Sequence, residues 1–286
     1  MEAPILERPG VLDLIRRALE EDIGSGDATS LSVLDPADRF RGRLVARENA
    51  VVAGVDVARE VFVAVDDRID VAILVRDGER VRTDDVVLEV CGPARGILTA
   101  ERNALNFLQR MSGVATLTRK YVDRIEGLPA MILDTRKTTP TLRVLEKYAV
   151  VCGGGANHRM GLYDRIMLKD NHLAQWRRHH GGDLADMART ARKAFPRLAI
   201  EVEVDTVEEC GRVIEAAPEW ILLDNMSLTE LRQCVDLTAG RSRLEASGGI
   251  TLATVRDIAA TGVDAVSVGA LTHSASWVDF SLDVEH

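Results

Sequence analysis

The sequence predicts an α/β chain: a closed or nearly closed parallel β/α barrel of about seven strands, preceded by a small α+β layer domain. Three observations predict it. After Pro129, short apolar β-branched runs alternate with amphipathic segments, and the last four runs begin about 22 residues apart, the length of one βα unit. No G-x-G-x-x-G follows the first run, which counts against an open dinucleotide-binding sheet. Before Gly113 the pattern is different, with β-rich pieces divided by turn signals and flanked by helices.

Taken in order, Val11, Ile15, Ala18 and Leu19 recur at helical spacing, and Gly24-Ser25-Gly26-Asp27 breaks that helix. From Phe40 to Val90 the pieces GRLVARE, AVVAGVDV, DVAILV and DVVLEV read as strands, with a helix begun near Asp56 and ending over Val61–Val65. Thr99 is placed to cap a long helix carrying Glu101 in its first turn, and Ala104, Leu105, Leu108, Met111 and Ala115 form its apolar stripe. The pattern runs to Ile125, and Gly127 with Pro129 ends it; the domain boundary falls near Gly113. By spacing alone Arg102 is a surface residue of this helix. The barrel strands are expected at residues 131–135, 150–152, 166–170, 200–204, 220–224, 243–247 and 265–269.

Composition bounds the function. The chain has 286 residues, 46% hydrophobic and 28% charged, as in ordinary globular proteins. It lacks an apolar run long enough to span a bilayer, and Met1-Glu2-Ala3-Pro4 carries no basic n-region, so no export signal is expected. Cys91, Cys152, Cys210 and Cys234 are far apart, which fits a reducing cytoplasm better than a zinc ribbon or disulfide framework. A net charge of -9 argues against nucleic acid as the main partner. Against that background, residues 134–172 hold seven Lys or Arg and two His with only four acids. Several of these cations close apolar strands, where a charge is costly unless an anion meets it. A small anionic ligand is the expected occupant.

Barrel sites gather at the carboxyl ends of the strands. There the early strands offer cations, Arg136, Lys137 and Lys169, with His158 and Arg159 nearby in sequence. The middle strands offer Glu203 and Asp224, which suit Mg²⁺, ribose hydroxyls or a developing positive charge. By strand alternation Glu201 points the same way as Glu203. The last two offer glycine turns, Ser247-Gly248-Gly249 before a helix start at Thr251, and Gly269-Ala270, where backbone N–H groups can meet a phosphate. Lys169 also allows a Schiff-base aldolase reading. Arg143, Lys147, Arg165 and the run Arg177-Arg178-His179-His180 read as solvated, and the three Trp as packing.

The segments EDIGSGDAT (21–29), ERNALNFLQRMSG (101–113), DTRKTTPTLRVLEKYAV (134–150), GGGANHRMGLYDRIMLKDNH (153–172), EVEVD (201–205), ILLDNM (221–226), EASGGI (245–250) and SVGALTHS (267–274) resemble the quinolinate phosphoribosyltransferase family over nearly the whole length. The resemblance implies an N-terminal α/β open sandwich (residues 1–112), an incomplete β/α barrel (113–272) and a C-terminal tail (273–286) returning to the N-terminal domain. It implies transfer of phosphoribose from phosphoribosyl pyrophosphate to quinolinate, with Mg²⁺, releasing pyrophosphate and CO₂ and giving nicotinate mononucleotide for NAD biosynthesis.

By the same resemblance, Arg136, Arg159 and Lys169 hold the two quinolinate carboxylates, with Thr135, Lys137 and His158 beside them. Arg102 reaches a neighbouring subunit's site, so a cytoplasmic homodimer or a hexamer built of dimers is implied, with neither nucleic acid nor membrane as partner. Glu203 and Asp224 meet the ribose and, through water and phosphoribosyl pyrophosphate, Mg²⁺. Ser247, Gly248, Gly249, Gly269, Ala270 and His273 take the 5-phosphate. Lys137, Lys169, Glu203 and Asp224 form the implied catalytic set. A molybdenum-transport-associated paralogue shares the TRKT-P segment but departs where this chain keeps Leu168-Lys169-Asp170-Asn171-His172. A nicotinate phosphoribosyltransferase needs one carboxylate site fewer.

Overall fold

The structure, a computed structural model, describes residues 4–284. In chain order the elements are α1 (Val11–Ile23), α2 (Ala28–Val33), β1 (Arg39–Ala46), β2 (Ala50–Val51), α3 (Val55–Val65), β3 (Asp70–Ile73), β4 (Arg80–Val81), β5 (Val86–Pro93) and α4 (Ala94–Arg124). There follow β6 (Met131–Leu133), α5 (Arg143–Cys152), β7 (Ile166–Leu168), α6 (Asp170–His180), α7 (Leu184–Ala194), β8 (Ile200–Val204) and α8 (Val207–Ile214). The chain closes with β9 (Trp220–Asp224), α9 (Leu228–Thr238), β10 (Arg243–Ser247), α10 (Val255–Ala259), β11 (Ala265–Ser267), α11 (Ala270–His273) and β12 (Phe280–Val284).

The chain forms two units. The first takes in residues up to Arg119, Thr138–Gly154 and the chain from Leu271 on. Its antiparallel sheet runs β12-β1-β5-β3, with Leu44 paired to Leu88 on one side and to Leu282 on the other. Leu44, Leu88, Phe62 and Ile97 are fully buried, and each such side chain contributes about 1.5–3 kcal/mol.

Helix α4 departs from expectation at its start. It begins at Ala94, so Thr99 lies inside it; the Thr99 hydroxyl donates to Asp27 Oδ2 at 3.0 Å instead of capping. Asp27 is itself the N-cap of α2, accepting from Thr29 and Ser30. The helix runs unbroken through Gly113 to Arg124, and the compact unit extends to Arg119. A Cβ on Gly113 would lie 2.1 Å from the Ser276 carbonyl oxygen, so the close approach of the C-terminal segment requires glycine there.

The second unit comprises Lys120–Lys137 and Gly155–Ala270. It holds a parallel sheet of six strands in the order β6-β11-β10-β9-β8-β7, in which the first strand pairs with the last. Val202, Ile221, Leu223, Leu244 and Val266 are buried at alternate positions, leaving Glu201, Glu203, Glu245 and Ser247 for the other face.

The seventh strand expected at residues 150–152 is the end of α5. Leu145, Ala149 and Val150 are buried at helical spacing while Val151 is exposed, so an apolar run too short to settle its own period follows the helix. A remnant of a seventh position survives elsewhere: Ala156 makes a single parallel bridge to Leu133. Lys147, read as solvated, is fully buried in the first unit. The helix expected to start at Thr251 begins at Val255, because Thr251 and Thr254 bond each other in a turn before it.

Candidate functional site

A cavity of about 480 Å³ opens at the carboxyl ends of the second unit's strands. Its lining brings together nine of the expected residues, from Thr135, Arg136 and Lys137 after β6 to Ser247 at the end of β10. His158 and Arg159 come from the loop after the Ala156 bridge, Lys169 from the end of β7, Glu203 from β8 and Asp224 from β9. Thr135 Oγ1 accepts the Lys137 N–H at 3.0 Å, a short turn that swings the cations off the strand end.

One wall is cationic. Arg136 Nε is buried without a hydrogen-bond partner. Burial, with the Arg136 charge behind it, holds Arg159 below the usual guanidinium range. Two guanidiniums brought together in this way are matched to a carboxylate-bearing ligand.

The floor is a buried charge cluster. His158 Nε2 lies 2.8 Å from Glu201 Oε2 and 3.3 Å from Glu245 Oε2, and the Arg165 guanidinium lies 3.4 Å from Glu201 Oε2. Asp134 Oδ1 accepts the His158 backbone N–H, which anchors the loop to the end of β6. Burial pulls the His158 pKa down, but bonds and charges from Glu201 and Glu245 outweigh it and push it up to about 9. Burial pushes Glu245 up, with the Glu201 charge adding to it, whereas His158 and Arg165 hold Glu201 down against its own burial. The two carboxylates therefore hold unequal shares of charge.

The opposite wall is acidic. The Lys169 amine is bonded to Glu203 Oε2, and an amine held by a carboxylate is not free to attack a carbonyl as a Schiff-base nucleophile. On the adjoining strands Ser247 stands beside Asp224 in register. Gly248 and Gly249 follow with φ of 95° and 60°, a left-handed pair that glycine alone adopts freely.

Residues 27–112 match the quinolinate phosphoribosyl transferase N-terminal domain, and residues 114–283 the C-terminal domain. The chain belongs to the quinolinate phosphoribosyltransferase family. It is 45% identical over 280 residues to the nicotinate-nucleotide pyrophosphorylase [carboxylating] of Mycobacterium leprae, covering 95% of this chain and 96% of that one. Among solved structures it superposes on NadC from Streptococcus pyogenes with a TM-score of 0.93 at 39% identity, each chain fully covered. The nicotinate-nucleotide pyrophosphorylase of Francisella tularensis gives 0.91 at 37% identity, covering 99% of this chain and 98% of that one.

The remaining expected site residues of this family member lie outside the cavity lining. Gly248, Gly249, Gly269 and Ala270 form the turns after β10 and β11. His273 closes α11, its Nδ1 2.7 Å from Ser274 Oγ. Arg102 is exposed on α4 and lines a separate cavity of about 330 Å³ in the first unit, with Asn103, Arg110 and Glu146.

The sequence missed two members of the floor. Arg165, read as solvated, has a side chain only 16% exposed, pairs with Glu201 and packs 5.3 Å over the Trp220 ring. Glu245 was not singled out. Its signal was parity: it precedes Ser247 by one pleat, as Glu201 precedes Glu203, and so faces the barrel interior.

Asp170, Glu203, Asp205 and Glu209 line one cleft, and burial together with the charges of Asp224, Glu209 and Asp170 raises the Asp205 pKa. Among the described residues, the donor atoms that lie close enough together to hold a metal ion are those of His158, Glu201 and Glu245.

Proposed function

We propose that this chain transfers the phosphoribosyl group of phosphoribosyl pyrophosphate to the ring nitrogen of quinolinate with decarboxylation, giving nicotinate mononucleotide, pyrophosphate and CO₂. One observation carries the reading: a single cavity divides into a guanidinium wall for a dicarboxylate and a carboxylate wall for a sugar. Arg136, Arg159 and Lys169 hold the two carboxylates and so bring the pyridine nitrogen to the anomeric carbon, a proximity effect. Loss of pyrophosphate leaves an oxocarbenium-like ribose, and Glu203 and Asp224 stabilise its charge. The new pyridinium then draws the electron pair left by CO₂.

Glu203 and Asp224 would hold Mg²⁺ through water and the pyrophosphate substrate, and the ion would supply positive charge to the leaving group. Ser247 and the glycine turns receive the 5-phosphate. Arg102 serves a neighbouring subunit, making the working form a cytoplasmic homodimer or a hexamer of dimers. No helix among the described residues is long and apolar enough to cross a membrane.

The test is direct. Purified protein with quinolinate, phosphoribosyl pyrophosphate and Mg²⁺ should form nicotinate mononucleotide and CO₂. Turnover with nicotinate but none with quinolinate would overturn the assignment.

A further inference from the structure

Asn225 carries a backbone that only glycine adopts without cost, and its side chain touches both neighbours that matter. Its φ is 53°, in the left-handed region. Its Nδ2 donates to Asp224 Oδ2 at 2.8 Å. Its backbone N–H donates to the Ser247 carbonyl at 2.9 Å. A Cβ built on Gly248 would lie 2.1 Å from Asn225 Oδ1, so the amide lies against the bare face of that glycine.

We infer that Asn225 is a positioning residue for the phosphoribosyl half of the reaction, tying the Asp224 carboxylate to the Ser247-Gly248-Gly249 turn. The inference rests on the proposed roles of Asp224 and that turn. The sugar hydroxyls and the 5-phosphate belong to one rigid ligand, so their receptors have to keep a set separation. Strands β9 and β10 bring Asp224 and Ser247 into register, but the carboxylate still rotates about its own bonds, and the turn beyond Ser247 has left the sheet. One amide answers both needs. It donates to the carboxylate from beside it, and it occupies the space that any side chain at position 248 would fill. The left-handed φ makes this reach possible, because it turns the chain back towards β10 directly after Asp224. It also explains why glycine, the easier residue for this backbone, would not serve: glycine has no donor.

The experiment compares Asn225→Gly, Asn225→Asp and Asp224→Ala by steady-state kinetics and thermal melting. Asn225→Gly relieves the backbone, so it should melt no lower than the parent. Its kcat/KM for phosphoribosyl pyrophosphate should nonetheless fall roughly ten- to a hundredfold, the usual effect of losing a hydrogen bond to a charged group. The KM for quinolinate should stay within about twofold. Asn225→Asp keeps the shape and tolerates the left-handed backbone but replaces the donor with a charge, and should be at least as damaging. A parent-like Asn225→Gly, or equal losses for both substrates, would overturn the inference. Asp224→Ala separates the two levels. If it leaves phosphoribosyl pyrophosphate kinetics unchanged, the reading of Asp224 fails and takes the inference with it. If it is crippled while Asn225→Gly is not, the inference alone falls.

Discussion

His158 Nε2 lies 2.8 Å from Glu201 Oε2, and both side chains are almost wholly removed from solvent. A single imidazole thus stands between Glu201 and Glu245 beneath the cavity, where an unpaired carboxylate would be prohibitive. The Arg159 N–H donates to the other ring nitrogen, Nδ1, at 2.8 Å, a bond that only the neutral ring can accept. The carboxylates act against that bond and favour the imidazolium.

The ring of His158 should therefore titrate well above its ordinary 6.5, towards about 9. A folded-state pKa above the unfolded value adds stability that is complete below 6.5 and disappears as pH rises through about 9. Glu245, also pushed up, has the same sign. Urea midpoints should fall between pH 6.5 and 9, and the His158 ring signals in NMR should shift over that range. A midpoint that is flat or rises would contradict this, as would a Glu201→Gln variant whose His158 titrates unchanged.

Arg136→Ala and Arg159→Ala should each raise the KM for quinolinate far more than that for phosphoribosyl pyrophosphate. A charge-assisted bond contributes about 1.5–3 kcal/mol, which corresponds to roughly ten- to a hundredfold in kcat/KM. Losses spread evenly over both substrates would mean that the cationic wall does not select the dicarboxylate.

Glu146 is buried in the first unit, accepting from Arg110 Nη2 at 2.5 Å and from the Thr139 hydroxyl at 2.8 Å. Glu146→Ala strands the Arg110 charge and should cost about 3–5 kcal/mol in urea unfolding. A loss below about 1 kcal/mol would place the pair among inconsequential surface bridges.

Mixing Arg102→Ala with Lys169→Ala should restore activity if sites are completed across subunits. Random re-pairing of dimers leaves one intact site in each mixed dimer, so roughly a quarter of wild-type activity is expected. An inactive mixture, with subunit exchange confirmed by mass spectrometry, would remove the cross-subunit role.

Much of the candidate site is legible in the chain because barrel chemistry collects at strand ends. Arg136, Lys169, Glu203, Asp224 and Ser247 each follow an apolar run, and all line the one cavity. Illegible were features that depend on partners far off in sequence. Arg165 and Lys147 look like members of a solvated charge run, yet Arg165 is partly buried against Glu201 and Lys147 is fully buried. Thr99 has the chemistry of a cap, but Asp27 is there to receive its hydroxyl and the helix starts a turn earlier. Ala156 makes a one-residue bridge, too short to leave any periodic trace.

The order of the chemistry is thus a property of the sequence: cations after the early strands, carboxylates after the middle ones, glycine turns after the last. Which charges meet is not. His158 finds Glu201 and Glu245 because β8 and β10 each turn a glutamate inward, and the loop after Ala156 descends between them. A buried charge is tolerable only with a partner, and across a sheet that partner is chosen by strand order and pleat, which exist only once the strands have assembled.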